Sequence, residues 1–185
     1  MKRFAGLLLL TVCSSASGTL AGGKTAPDGC HWQSIPKLKA HLAVPDGWQF
    51  KQLKSSDALI YEVRPAGGGF EGAKAHYRLE VRLRTKPEDV VARARAFVED
   101  NRAKALEPPP LEEQQVSTLA MFSCFVRFAP SSDGSPALTA AVSSAGNSRT
   151  GTIYTIRFDI PENELDLIAP LGNSLFREMR LDDEI

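Results

Sequence analysis

The stretch Gly151-Thr-Ile-Tyr-Thr-Ile-Arg-Phe-Asp-Ile-Pro161 is the part of the chain from which the fold is most directly inferred. Its apolar side chains alternate with Thr155, Arg157 and Asp159, and this alternation is the period of a half-buried strand. Pro161 ends the strand, because proline has no amide hydrogen to donate to a neighbouring strand. The stretch therefore predicts a β-strand with one face turned towards a core.

An amphipathic run from Leu165 to Met179 follows this strand. Apolar side chains recur there at intervals of three and four residues, which is one stripe along a helix. The stripe consists of Leu165, Ile168, Ala169, Gly172, Leu175, Phe176 and Met179. Pro170 lies inside the pattern and predicts a kink or a restart, because it has no amide hydrogen to donate. A strand followed by such a run predicts a helix laid over a sheet.

The earlier part of the chain contains further segments with the alternation of strands. They are residues 40–44, 48–50, 59–64, 76–84, 119–128 and 137–143. A helix is predicted between them, with Thr85 as its cap, Pro87 in its first turn and an end near Ala105. Strands grouped on both sides of one long helix indicate an α+β fold, in which an antiparallel sheet is packed with helices in a single domain.

The composition is that of an ordinary globular domain. The chain has 185 residues, of which 43% are hydrophobic, and this is enough for one domain with a substantial core. Lys plus Arg and Asp plus Glu each number 22, so the formal net charge is zero. We expect no nucleic-acid partner, because proteins that bind nucleic acids carry a basic patch or stripe.

The first residues have the three parts of a secretory signal in the usual order. Lys2 and Arg3 form the basic start, residues 4–12 form a short apolar run, and small residues follow as far as Gly23. The apolar run is too short to span a bilayer. We therefore expect a periplasmic or secreted protein, with no stable membrane insertion after the signal is removed.

These features predict three regions: a signal peptide at 1–21, a tether at 22–34 and a single domain at 35–185. Lipidation at Cys13 is the less favoured alternative. Bacterial lipoprotein signals have a small residue before the modified cysteine, and Val12 is a poor match for it.

Removal of the signal leaves two cysteines, Cys30 and Cys124. Export leads to an oxidising compartment, where two remaining cysteines are expected to pair. Such a bridge would close a loop of about 95 residues and stabilise the fold by roughly 4–5 kcal/mol. Two buried free thiols are the alternative, since pairing requires a geometry that the sequence does not contain.

Two short motifs resemble those of the PsbP/Mog1/DcrB-like group of domains. One is the turn Val44-Pro45-Asp46-Gly47-Trp48, and the other is the strand from Thr155 to Pro161 that runs into a terminal helix. The resemblance spans Leu38 to Leu181 and implies an antiparallel sheet packed with helices in an α/β/α-like sandwich. Members of this group are mostly not enzymes: some bind a small GTPase, some support photosystem assembly, and some are adaptors of bacterial secretion systems. No functional residue is carried over, because the group shares a fold rather than a site.

The remaining candidate motifs are weak. The histidines His31, His41 and His76 match neither a catalytic triad nor a metal-binding spacing. The glycines at 67–69 lack the Lys-Ser/Thr of a phosphate-binding loop. The acidic residues at 182–184 are expected to stay hydrated rather than to hold calcium. The sequence therefore predicts no catalytic residue, no metal site and no cofactor.

Five charged residues on predicted strands are candidates for a partner-binding face. They are Arg78, Glu80, Arg82, Arg127 and Arg157. They share a face if their strands align, and arginine is a common anchor at protein interfaces. The alternative is a solvated sheet face that carries cross-strand ion pairs.

Export, a compact domain and the lack of a recognisable catalytic set favour a non-enzymatic domain that binds a protein. Within this class an adaptor, an assembly factor and an immunity-type inhibitor are all open. A periplasmic carrier of a small ligand or metal is the alternative, and it requires a pocket between sheet and helix. A hydrolase with a site assembled from distant residues is least favoured, because the sequence singles out no residue for it.

Overall fold

The computed structural model describes residue 26 and residues 28–38, 40–66, 75–130 and 137–166. The predicted signal peptide with Cys13, the glycines at 67–69, the acidic residues at 182–184 and the amphipathic run beyond Asp166 lie outside the described residues. No helix in the described ranges is long and apolar enough to cross a membrane.

The described fold consists of β-strands, one α-helix and three short 3-10 turns. The strands are β1 (Cys30–Ile35), β2 (Ala40–Pro45), β3 (Trp48–Leu53), β4 (Leu59–Pro65), β5 (His76–Arg82), β6 (Glu112–Val116), β7 (Leu119–Phe128), β8 (Leu138–Asn147) and β9 (Thr152–Pro161). The helix is α1 (Val90–Arg102), and the turns are Pro36–Leu38, Pro87–Asp89 and Glu162–Glu164.

Seven of the strands form one antiparallel sheet in the order β3-β4-β5-β9-β8-β7-β6. The other two strands, β1 and β2, pair with each other as a separate hairpin. The large sheet is two meanders, β3–β5 and β6–β9, which are joined where β5 pairs with β9. The predicted α+β single domain with an antiparallel sheet is confirmed, and β9 is its central strand.

The sheet has an apolar core on each side. Successive side chains of a strand point to opposite faces, so β7 directs Met121 to one core and Phe122 to the other. On the first side, which we call the hairpin face, the sheet packs with β1, β2 and the turn Pro36–Leu38. On the second side, the helix face, Val90 and Val98 of α1 pack against β7 and β8.

Two glycines let the chain before α1 approach the sheet closely. A Cβ atom at Gly146 would lie 2.6 Å from the carbonyl oxygen of Val90, at the start of α1. A Cβ atom at Gly151 would collide with the carbonyl oxygen of Thr85, and Gly151 also has a φ of +72°. The amide of Thr85 donates to the Gly151 carbonyl at 2.8 Å. This contact fixes the entry to the helix against the turn before β9.

The start of the helix differs from the prediction. Thr85 is not its cap: α1 begins after the turn Pro87–Asp89, and no side chain caps either element. Thr85 instead bonds through its main chain to Gly151, as described above. The helix ends at Arg102 rather than near Ala105.

Two strands were not predicted, β1 and β6. β1 covers Cys30–Ile35, so it begins within the predicted tether at 22–34, and it pairs with β2. β6 has the sequence EEQQV and shows no apolar alternation, because it is an edge strand with mostly exposed side chains. Its register is set by β7 rather than by burial of its own side chains.

The two cysteines are free thiols in the structure, and the predicted Cys30–Cys124 bridge is not formed in it. Cys30 packs at the margin of the hairpin-face core, whereas Cys124 is buried in the helix-face core. The sheet lies between these cores, and a disulfide requires Cα atoms within about 7 Å of each other. Burial raises the pKa of Cys124 to about 11. Burial, with a smaller effect of Asp46, also raises the pKa of Cys30.

Candidate functional site

Charged side chains cover the part of the helix face that lies beside α1. The helix packs mainly over β7, β8 and β9, whereas the charges stand on β4, β5, β9 and the loop before β4. On β5, Tyr77, Leu79 and Val81 fill the hairpin-face core, so the side chains between them point to the helix face. We call the charged set the ionic face. It consists of Asp57, Glu62, Arg78, Glu80, Arg82, Arg157 and Asp159.

The arginines of β5 are held by carboxylates from three places in the chain. Arg78 donates through Nη1 to Glu62 at 3.1 Å and through Nη2 to Glu80 at 3.4 Å. Arg82 donates through Nε to Glu80 at 2.8 Å and through Nη1 to Asp57 at 2.7 Å. Glu80 thus accepts from both arginines, and this shared acceptor fixes the spacing between the two guanidinium groups.

Asp57 is the acidic end of this network. The hydroxyl of Ser55 donates to the Asp57 carboxylate at 2.8 Å. That hydrogen bond and the nearby charge of Arg82 hold the pKa of Asp57 below its ordinary value. The carboxylate therefore stays ionised at mildly acidic pH and keeps its partner Arg82 in place.

Arg157 is held more firmly than the other arginines. Its Nε donates to both oxygens of Asp159, at 2.8 and 3.0 Å, and its Nη1 donates to Asn101 Oδ1 of α1 at 2.9 Å. Its guanidinium carbon lies 5.1 Å from the centre of the Phe128 ring, within the range of a cation–π contact. The amide of Asn101 is oriented in turn by donating to the Phe97 carbonyl at 2.8 Å. Arg157 is therefore fixed at the boundary between α1 and the ionic face.

The arginines reach further into solvent than most of the carboxylates that hold them. Exposed fractions of 38%, 45% and 33% are found for the side chains of Arg78, Arg82 and Arg157. The exposed fractions are 15%, 17% and 5% for Glu62, Glu80 and Asp159. Asp57 is the exception, at 61%. The ionic face is nearly balanced in formal charge, yet it presents mainly guanidinium groups outwards.

Cross-strand register places two arginines side by side. Arg78 of β5 lies directly opposite Arg157 of β9, and Glu62 of β4 lies opposite Arg78 on its other side. Side chains directly opposite each other in an antiparallel pair have Cβ atoms about 4.5–5.5 Å apart, and like charges there are destabilising. The bonds to Glu62, Glu80 and Asp159 offset this repulsion.

Four of the five predicted face residues come together, and the fifth does not. Arg78, Glu80, Arg82 and Arg157 share the helix face, whereas Arg127 points to the hairpin face. The reason is register: Arg127 lies opposite Thr139, and Thr139 lies opposite Ile160 of the hairpin-face core. Arg127 contacts Glu162 there instead.

The histidines do not form a metal site in the described part of the chain. His76 Nε2 lies 3.3 Å from Asp159 Oδ2, and the exposed His31 lies 3.4 Å from Asp46. No three His, Cys, Asp or Glu side chains among the described residues are grouped as metal ligands.

Three residues that organise the ionic face had no distinctive sequence signal. Glu62 and Asp57 are ordinary polar residues of a strand and a turn, and Asn101 is one of the polar residues near the end of α1. Their roles depend on which strands are neighbours. The approach of β9 to both β5 and α1 is what brings Asn101 to Arg157.

Comparison with known proteins relates the fold to solved structures. No family model matches the chain. No curated protein matches it. Fourteen chains of solved structures match.

Three of these structures have no more than 14% sequence identity to the chain. The solution structure of cyanobacterial PsbP (CyanoP) from Synechocystis sp. PCC 6803 has a TM-score of 0.50 at 14% identity, over 91% of this chain and 99% of that one. A variant of Mog1 has a TM-score of 0.48 at 14% identity, over 82% and 95%. A protein from Bacteroides thetaiotaomicron VPI-5482 has a TM-score of 0.49 at 8% identity, over 77% and 45%. The chain thus spans less than half the length of the Bacteroides protein.

The chain has a PsbP/Mog1-like fold. The match to CyanoP extends over nearly the whole of both chains and confirms the predicted resemblance at the level of architecture. At 14% identity it shows the fold alone, because one fold hosts many functions. Within the described residues, one helix packs on one side of the sheet and a β-hairpin on the other. The run beyond Asp166, for which a further helix is predicted, lies outside the described residues.

Proposed function

We propose that this protein is an exported, non-enzymatic domain that binds another protein through the ionic face. One observation carries the proposal: a layer of arginines is held in position on the exposed side of a rigid sheet. Arginine side chains lose less freedom on binding when they are already fixed, and pre-organisation of this kind favours affinity. Export is supported by the signal pattern at 1–21.

The charged network fits recognition better than stability. The Asp57–Arg82 pair is well exposed, and exposed ion pairs add at most about 1 kcal/mol each, so this part of the network is a weak means of stabilising a fold. Charged surfaces do contribute to the specificity and rate of protein association. Such a surface is compatible with an adaptor, an assembly factor or an immunity-type inhibitor. No grouping of the described residues favours the metal-carrier alternative.

The test is capture of a partner by matched charge variants. The tagged mature protein would be expressed in the envelope of the organism that encodes it, and cross-linked partners would be identified by mass spectrometry. The variant Arg78→Glu/Arg82→Glu alters the ionic face. The control Arg95→Glu/Arg127→Glu makes the same change in charge on α1 and on the hairpin face, at side chains 52% and 63% exposed.

We expect one stoichiometric partner to bind the wild type and the control but not the ionic-face variant. Thermal unfolding of each variant verifies that the fold is retained. A partner that binds both variants equally would overturn the assignment of the ionic face. Failure of the wild type to capture any protein in stoichiometric amounts would overturn the proposed function itself.

A further inference from the structure

The outer edge of β3 is open. β3 stands first in the order of the large sheet, and its only strand partner in the described ranges is β4. The amide of Ala66 donates to the Gly47 carbonyl at 2.8 Å, which places a hydrogen-bonded pair just before β3. Hydrogen-bonded and non-hydrogen-bonded pairs alternate along antiparallel strands. The main-chain groups of Trp48, Phe50 and Gln52 therefore point away from β4, and they make no hydrogen bond to the described residues.

We propose that this edge pairs with β3 of a second copy of the chain, so that two sheets join into one. An unpaired strand edge is a template for another strand. In antiparallel pairing about Phe50, each Phe50 lies opposite the other, and Trp48 lies opposite Gln52 of the second copy. We call this arrangement the Phe50 register. It is the register in which all three outward-pointing residues find a partner.

The charges beside β3 favour the Phe50 register. Lys51 then lies opposite Gln49 of the second copy, whereas pairing about Lys51 would place two lysines opposite each other, which is destabilising. Asp46 and Lys54 are equally far from Phe50 in sequence, so the register brings Asp46 of each copy to the level of Lys54 of the other. Asp46 is 70% exposed, and Lys54 is exposed as well. Opposite charges thus meet at both ends of the paired strands, which favours association.

Apolar side chains along this edge gain contacts in the dimer. Trp48 and Phe50 pack against the hairpin-face core but remain partly exposed. Phe50 stacks on Tyr61 of its own copy, with ring centroids 5.7 Å apart. In the Phe50 register the two Phe50 side chains lie side by side on the hairpin face, and cross-strand aromatic pairs are favourable. Self-pairing therefore adds apolar contact to the main-chain hydrogen bonds.

The opposite edge of the sheet is not suited to the same pairing. β6 carries Glu112 and Glu113, and its side chains are exposed except for the partly buried Val116. Two copies of β6 side by side would bring the glutamates of both together and bury little apolar surface. The chain before β6 contains three consecutive prolines at 108–110, which have no amide hydrogen to donate. One edge of the sheet is therefore suited to self-pairing, and the other resists it.

The joined sheet would place both ionic faces on the same side. A dimer with two-fold symmetry uses the same surface of both copies, and the axis that relates two antiparallel strands stands perpendicular to their sheet. Each face of one copy then continues into the same face of the other. The inference goes beyond the proposed function and does not depend on it.

The test is the oligomeric state of the mature protein, measured by sedimentation velocity between about 1 and 200 μM. Gln52→Pro removes an amide that points outwards from β3, and proline is tolerated in an edge strand where its nitrogen faces solvent. Gln115→Pro is the control, because it makes the same change on β6. Val116 and Leu119 close the turn after β6 as a pair, so the Gln115 amide also points outwards.

A second series of variants tests the register through its end charges. Asp46→Lys places a lysine near Lys54 of the second copy, so that like charges meet. The double variant Asp46→Lys/Lys54→Asp restores opposite charges in reversed order. This series leaves the main chain of β3 unchanged, so it decides the question if Gln52→Pro does not fold. Thermal unfolding of each variant verifies the fold.

We expect the wild type and Gln115→Pro to form the same dimer. Gln52→Pro should weaken the dimer at least about tenfold, because hydrogen bonds are lost from both copies. Asp46→Lys should weaken it about fivefold, and the double variant should recover most of this loss. The inference is overturned if the wild type stays monomeric over the whole range, if the two folded proline variants associate equally, or if the double variant is as weak as Asp46→Lys.

Hydrogen exchange of the outward-pointing amides identifies what covers the edge. Protection of the Trp48, Phe50 and Gln52 amides that increases with protein concentration would support the second copy. Equal protection in the dilute monomer would mean that another segment of the same chain covers β3, and it would overturn the inference. Neither result alters partner capture through the ionic face, so the inference and the proposed function fail separately.

Discussion

Arg157 and Asp159 lie two residues apart on the same face of β9, and the Arg157 Nε donates to both carboxylate oxygens of Asp159. Asp159 is almost completely buried, and it also contacts His76 of the neighbouring strand. One buried carboxylate therefore orients a partly exposed arginine at the point where α1, β5 and β9 meet. The position of that arginine depends on the integrity of this pair.

Loss of the Asp159 charge is expected to destabilise the protein. Asp159→Asn keeps the shape of the side chain but removes one of the acceptors of Arg157. We expect a loss of about 1–3 kcal/mol in the free energy of unfolding, since removing one partner of a buried charged hydrogen bond costs this much. The measurement is chemical denaturation at neutral pH.

Glu113→Gln is the control, because Glu113 pairs with Arg95 and both side chains are about half exposed. Exposed pairs contribute little, and a change below about 0.5 kcal/mol is expected. Equal losses in the two variants would contradict a structural role for the Arg157–Asp159 pair.

Gly151 is expected to tolerate alanine less well than Gly47. Both glycines have positive φ values, of +72° and +78°, but only at Gly151 would a Cβ atom meet the backbone of Thr85. Gly47→Ala should lower the free energy of unfolding by about 1–2 kcal/mol, which is the strain of the left-handed conformation. Gly151→Ala should cost at least about 1 kcal/mol more, because the entry to α1 must move. Thermal and chemical unfolding of both variants provide the comparison, and similar losses would show that Thr85 moves aside freely.

Burial of Cys124 predicts a loss of stability at alkaline pH. Its pKa in the folded protein is raised from 9.0 to about 11, so the thiol of the unfolded chain ionises first as pH increases. The stability that the protonated Cys124 thiol contributes is fully present below pH 9. It is lost as pH rises through about 11, which lowers the free energy of unfolding by roughly 2–3 kcal/mol. Cys124→Ala should lose stability less steeply over this range. Parallel slopes for wild type and variant would mean that Cys124 does not carry the effect.

The two cysteines are expected to be free thiols in the mature protein. Alkylation of the unfolded chain without reductant should add two labels, one at Cys30 and one at Cys124. In the folded protein Cys30 should react first, because Cys124 is buried in the helix-face core and its thiolate form is disfavoured. Mass spectrometry measures both. If labelling requires prior reduction, the two cysteines form the disulfide that the sequence predicts.

The parts of the fold that could be predicted from the sequence are those whose own side chains are buried on one side. β5 and β9 alternate clearly because each has one face in the hairpin-face core. β6 has no such alternation because it is an edge strand with exposed side chains. β1 was not predicted because it follows a polar N-terminal segment. Neither strand has a local signal that distinguishes it from a loop.

Four charged residues of the candidate site were predicted from the sequence, but their partners and their geometry were not. Alternation along β5 placed Arg78, Glu80 and Arg82 on one face correctly, since this depends only on neighbours within a strand. Arg127 was wrongly assigned to the same face. The relation between two strands depends on sheet order and register, which the sequence does not contain. The same information was needed to see that Cys30 and Cys124 lie in different cores.

The single pairing between β5 and β9 has a consequence for the rate of folding. Each meander joins strands that are neighbours in sequence, so its hairpins close short loops at low entropic cost. β5 and β9 must find each other across α1 and three strands, and such non-local contacts slow folding. We therefore expect two quickly forming halves and a slow docking step. Val81→Ala in β5 should mainly lower the refolding rate, because Val81 lies on the strand that docks. The centre of the sheet is therefore the last part of the molecule to form.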